Sequence, residues 1–333
     1  MKRLNKNIKF FFNYFLGPLL FIWLSVSIYH QIKSQTDLTS AVSRFRYALQ
    51  GSGSWKLWMV FLCMITNWGV EARKFQVLLS PLEKISWIRA FRAILAGIAL
   101  SISTPNRIGE YPGKILFVQE GHRLRALSLI VAGNFSQLLV TLLTGTGGLF
   151  FLLHSKDSAT VALHAKSYFY WMQTGLYAIG LIALTALLTY FNFGSVIDWL
   201  RKVPWLRKIT TYMEVMKDMP PVMLWRVLGL SCMRYLVFSV QYILLLQLMQ
   251  VEMAVWQAFW LICVVFLILS VVPTIAFAEL GIRGQVSLEL FGLYSANRFG
   301  IIAASLGIWV INLLIPAIAG SWSVLRIKIF RPK

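Results

Sequence analysis

Arg107 and Glu110 stand three residues apart in Ser103–Lys114, STPNRIGEYPGK. Glu279 and Arg283 stand four apart in Val272–Gly284, VPTIAFAELGIRG. Apolar runs flank both stretches. A guanidinium can grip a phosphate through two parallel N–H donors. A carboxylate beside it can hold it in place, or release it on protonation. The other reading is structural, with each Arg–Glu pair stitching its own turn; for Glu279 and Arg283 the order suits a helix, where residues four apart are neighbours. Pro105, Gly109, Pro112 and Gly113 break the helix in the first stretch, and Pro273, Gly281 and Gly284 do so in the second. Backbone N–H groups freed by such breaks also bind anions. Lys114 either joins this site or extends its stem toward a membrane interface.

Three more positions carry polar groups into apolar surroundings. Arg234 lies inside the run 223–249, which contains no acid, so its partner must be Glu110, Glu279 or a substrate. Gln241 follows seven residues later on the same helix face. Asn67 and Glu71 sit four apart at the end of another run; Glu71 either pairs at the surface with Arg73 or Lys74 or joins the site. Asn134, Gln137, Thr141, Thr144 and Gly148 form a polar-to-small stripe, which reads as a helix-packing face.

The elements that position these residues are membrane helices. The 333 residues are 58% hydrophobic and 13% charged, about half the charge of a soluble domain. Eight apolar runs stand out: 11–29, 55–71, 86–104, 124–153, 167–191, 223–249, 253–275 and 299–325. They leave no room for an ordinary soluble domain, so residues 1–333 read as a single membrane domain. The net charge of +20 falls in clusters at the ends of runs, as topology signals do, and no nucleic-acid-reading motif accompanies it. Cys63, Cys232 and Cys263 lie in apolar runs without a CxxC pair, and the four histidines show no metal-ligand spacing. Phosphate-loop, dinucleotide and nucleophile-elbow motifs are absent. The expectation is a protein without metal or cofactor, and not an enzyme.

Charge placement orders the runs. The N-terminus, the cluster Arg73, Lys74, Lys84, Arg89 and Arg92, the cluster from Arg201 to Arg226, and the C-terminus all belong in the cytoplasm. Eight simple crossings would put some of these outside. After Arg92 only about 12 apolar residues precede Pro105, roughly 18 Å of helix against a hydrocarbon core of about 30 Å. Residues 88–122 therefore read as a re-entrant hairpin from the cytoplasm, and 253–298 as a second one from the opposite side. Six spanning helices and two opposed hairpins result, with both termini cytoplasmic in a bacterial-type inner membrane. The two polar turns share Leu-Ser, Pro, Gly, Arg and Glu, as in an inverted repeat whose broken helices meet at a substrate site. Residues 192–222 mix Trp199, Trp205, Leu200 and Leu206 with basic residues and read as an amphipathic cytoplasmic segment on anionic lipid.

The stretches NWGVEARKFQVLL (67–79), TPNRIGEYPGK (104–114), RYLVFSVQYILL (234–245) and PTIAFAELGIRG (273–284) resemble the membrane region of lysylphosphatidylglycerol synthases, in that order and across nearly the whole chain. The chain departs from many relatives at Ala276–Glu279, where they carry Pro-Gly-Gly. It departs again at Asn134–Gln137, where they carry an acidic–Arg pair. No stretch of these 333 residues reads as the soluble aminoacyl-transferase domain of the synthases. The resemblance thus implies movement of an anionic phospholipid or a polyprenyl-phosphate-linked envelope precursor between leaflets, not lipid aminoacylation. Membrane lipids are the expected partners, with envelope-synthesis enzymes as possible further ones. Two rivals stand beside this reading: a non-transporting scaffold for envelope-lipid synthesis, and a membrane enzyme acting on a lipid phosphate.

Overall fold

The computed structural model describes residues 54–102, 104, 107–154, 166–272 and 276–325, with no side-chain description for 166–171 and 276–278. The expected first helix, 11–29, lies outside the described residues, as do Pro105 and Pro273. Every regular element among the described residues is helical. In chain order these are α1 (Ser54–Leu79), α2 (Trp87–Ser101), α3 (Glu110–Ile115), α4 (Arg123–His154), α5 (Lys166–Phe191), α6 (Phe193–Arg201), α7 (Arg207–Met213), α8 (Pro221–Leu248), α9 (Val255–Val271), α10 (Ala276–Phe291), α11 (Arg298–Trp309) and α12 (Ile315–Leu325).

Four helical stretches among the described residues are long and apolar enough to cross a membrane: Glu120–His154, Met172–Phe191, Pro221–Leu248 and Arg298–Leu325. The last joins α11 to α12 through a π-helical stretch, Val310–Leu314. Two apolar runs came out differently from expectation. The run 55–71 continues as α1 to Leu79, taking Lys74 and Leu78 into the buried face. The run 253–275 is only 17 residues of helix, α9.

The first expected hairpin folds back on itself. Ser86 caps α2 by accepting a hydrogen bond from the Arg89 N–H. At the far end the Thr104 hydroxyl accepts from the Gly109 N–H at 2.8 Å and donates to the Ser101 carbonyl at 3.1 Å. The chain then returns along α2 as α3. The return is close because both helices present glycine: a Cβ on Gly113 would stand 2.5 Å from the Gly97 Cα. On its other side α2 meets α12, where a Cβ on Gly320 would stand 1.9 Å from the Leu95 carbonyl oxygen. Small residues thus let three helix backbones approach one another, as in membrane helix packing generally.

Two expected breaks are corrected. Pro112 and Gly113 lie within α3, where Pro112 falls in the first turn and gives up no intrahelical hydrogen bond. Gly281 and Gly284 lie within α10, which is continuous from Ala276 to Phe291. The second turn is therefore shorter than Val272–Gly284. It begins at Val272, whose extended backbone (φ −83°, ψ 112°) suits a residue before proline.

Two apolar clusters hold the helices together. One, built on α4, α8, α9 and α11, is centred on residues such as Leu139, Tyr242, Leu261 and Ile308. The other joins α1, α2 and the 309–317 region through Phe75, Ile94, Trp309 and Ala317. The 192–222 segment forms α6, α7 and short 3₁₀ turns. It buries Phe193, Ile197, Thr210 and Met216 and exposes Trp199, Trp205 and Ile209.

Candidate functional site

Glu71 is the hub of a buried ionic cluster. Its carboxylate lies 2.8 Å from Lys74 Nζ, 3.0 Å from Lys114 Nζ and 3.2 Å from Arg234 Nη1. It is buried, not at the surface, and so is Lys74. The cause is helical phase: Asn67, Glu71, Lys74 and Leu78 fall on one face of α1, which packs against α8. Lys74 also donates to the Gly133 carbonyl at 3.4 Å. Lys114 does not reach an interface; it is buried between Glu71 and Glu110, 2.5 Å from the latter.

Glu110 therefore pairs with Lys114, and Arg107 turns elsewhere. Arg107 has a left-handed backbone (φ 56°), uncommon for a residue with a side chain, and it sits in the turn before α3. Its Nη2 lies 2.9 Å from both carboxylate oxygens of Glu279, 172 residues away. Glu279 also accepts from Arg283 Nη2 at 2.7 Å, one helical turn along α10. The turn before α3 is thus joined to α10 through Arg107–Glu279–Arg283.

Arg234 stands half-way along α8. Its Nε donates to Asn67 Oδ1 at 3.0 Å and its guanidinium lies 5.0 Å from the centre of the Trp68 ring. Gln241 is fully buried and serves as a brace. Its amide donates to the Val60 carbonyl and accepts from Asn312, whose own side chain accepts from Asn67. Asn312 comes from the π-helical stretch; such bulges concentrate at functional sites. It was not foreseen, although a lone Asn in an otherwise apolar run is a visible signal.

A cavity of about 180 Å³ opens between these groups. Arg107, Arg234 and Arg283 line it, with Asn67, Asn312 and Gln137. Trp68 and Trp309 also line it. Of the sequence-derived candidates off the lining, Glu71, Gln241 and Glu279 hold the lining residues Arg234, Asn312, Arg107 and Arg283, whereas Glu110 and Lys114 pair with each other and, through Lys114, with Glu71. The stripe on α4 divides: Gln137 and Thr141 line the cavity, Asn134 donates to the Tyr111 hydroxyl, and Gly148 packs against the Trp260 backbone. Among the described residues no three His, Cys, Asp or Glu side chains converge as metal ligands.

A helical chain with several membrane-length apolar segments and ionic groups buried among them is a multi-pass membrane protein. The sequence model described as Lysylphosphatidylglycerol synthase TM region matches residues 14–320, and the chain belongs to that family, as its four motif stretches imply. This places it among membrane proteins of lipid synthesis or transport. No curated protein matches the chain.

Proposed function

We propose that the protein moves an anionic phospholipid, or a polyprenyl-phosphate-linked envelope precursor, between leaflets, holding the phosphate in the arginine-lined cavity. The observation that carries this reading is three guanidinium groups from three separate elements facing one small space. Guanidinium is suited to phosphate. At about 180 Å³ the space is smaller than the roughly 300 Å³ at which drug-sized pockets begin. It suits a headgroup, with the lipid tails left in the bilayer. Transport is passive or ion-coupled, since the sequence holds no nucleotide-binding motif.

In this reading α2–α3 and α9–α10 are re-entrant hairpins that enter from opposite faces and bring their tips to the cavity. The doubly packed α2 and the direct Arg107–Glu279 link support it. A cysteine at Ile108, in a chain freed of Cys63, Cys232 and Cys263, should then resist a bulky membrane-impermeant maleimide from either side. Trp205→Cys should react from the cytoplasmic side. Free reaction at position 108 from the cytoplasm would rule the first hairpin out.

The direct test is leaflet exchange of labelled anionic lipids by the purified protein in vesicles. Arg234→Gln should reduce exchange by about tenfold or more, because a charge-assisted contact is lost where solvent screening is weak. If the native chain exchanges no anionic lipid, the transport reading fails. The scaffold alternative then gains, and it expects the same substitution to be silent in cells when folding survives.

A further inference from the structure

We infer that the headgroup bound in the cavity is a dianion, a terminal phosphomonoester, and not a phosphodiester. This rests on the lipid-transport reading above and narrows it. The argument is charge balance at a partly buried site, where Arg283 is buried and the side chains of Arg234 and Arg107 are 22% and 40% exposed. Lys74 and Lys114 are matched by Glu71 and Glu110, through contacts of 2.5 to 3.0 Å. Glu71 also lies 3.2 Å from Arg234, so the charges are counted together: Lys74, Lys114, Arg107, Arg234 and Arg283 against Glu71, Glu110 and Glu279 among the contacts of the described residues. Five cations against three carboxylates leave two positive charges in excess, on the side of the cavity wall where Arg107, Arg234 and Arg283 stand. Arginine does not shed its proton to relieve such an excess. Buried charge is stable only when it is compensated.

A second observation points the same way. Arg283 is only 6% exposed, and its Nε and Nη1 have no hydrogen-bond partner among the described residues. The indole N–H groups of Trp68 and Trp309, on the same cavity wall, are likewise buried and unmatched. Buried donors left without acceptors are costly. A terminal phosphate brings three acceptor oxygens and close to two negative charges near neutral pH, because its second pKa is about 6. A phosphodiester brings one charge and fewer free oxygens, so it would leave one arginine uncompensated.

The test is exchange in phosphatidylcholine vesicles at pH 7.5 with three labelled probes: phosphatidate, a polyprenyl monophosphate and phosphatidylglycerol. The native chain should prefer the monoesters over phosphatidylglycerol by about tenfold or more, as an unpaired charge at low dielectric demands. Which monoester moves faster identifies the tail class. Arg283→Gln removes one unmatched charge, and Gln137→Glu adds a carboxylate to the same wall. Each should collapse the preference to within about threefold, whereas Arg283→Lys should keep it, since the charge remains. Equal exchange of phosphatidylglycerol and phosphatidate by the native chain would overturn this inference while leaving lipid transport standing. No exchange of any probe would overturn the transport reading itself. If one variant does not fold, the other carries the comparison, and a preference unchanged in a folded variant also counts against the dianion.

Discussion

Glu71→Gln is expected to destabilise the protein more than any other single change in the ionic cluster, by about 3–5 kcal/mol, as for breaking a buried ion pair from one side. The carboxylate touches Lys74, Lys114 and Arg234 at once, and its side chain is 3% exposed. Gln keeps the shape and removes the charge, so three cations from α1, α3 and α8 would face one another across a neutral amide. Salt screens such a place weakly, so ionic strength offers little relief. The measurement is the unfolding midpoint of the purified protein in mild detergent. Glu214→Gln serves as the comparison, because its pair with Arg201 is about half exposed on both sides and should matter by no more than about 1 kcal/mol. Adding Lys74→Met to Glu71→Gln should recover part of the loss, since it removes one of the stranded charges. Equal midpoints for Glu71→Gln and the native chain would show that the cluster does not hold the fold.

The parts of this architecture legible in the sequence were those set by local physics. The short apolar stretch between Arg92 and Pro105 required a chain that turns back, and α2 and α3 do so. Arg234 needed an acid from elsewhere, because its own run has none. That acid is Glu71, not Glu110 or Glu279; Glu71 also pairs with Lys74, one of its two expected surface partners, but does so buried. Three residues apart, Arg107 and Glu110 looked like partners, but the spacing argument holds only inside a helix. Arg107 is in a left-handed turn, and Glu110 is the first residue of α3, so the helical neighbour of Glu110 is Lys114. Long-range pairings such as Arg107–Glu279 have no local signature at all. Lys74 was counted with a cytoplasmic cluster because net charge does not report helical phase; the recurrence Asn67, Glu71, Lys74 and Leu78 does. The π-helical stretch that delivers Asn312 has no sequence signal beyond the Asn itself.

Glu279→Gln should separate binding from movement, and it follows from the same anion reading. Glu279 holds Arg107 at 2.9 Å and Arg283 at 2.7 Å, so an arriving phosphate competes with it for two guanidinium groups. A ligand shifts an equilibrium only by the difference between what it gains and what it displaces. With the carboxylate gone, the phosphate displaces nothing, and the wall carries three unmatched charges in place of two. Half-saturation for a phosphomonoester lipid should fall by about tenfold, the equivalent of one modest charge-assisted hydrogen bond no longer contested. The maximal exchange rate should fall by a similar factor, because nothing inside the protein takes the arginines back when the lipid leaves. Arg234→Gln predicts the opposite signature in half-saturation, a rise, so the two variants compared in one vesicle assay distinguish a competitor from a ligand. If half-saturation rises in Glu279→Gln as well, Glu279 is holding Arg107 and Arg283 in position, and the internal competition is wrong. The Arg107–Glu279 link also joins the turn before α3 to the first turn of α10. A variant that binds more tightly yet moves lipid more slowly would therefore place the moving part of the protein at that contact.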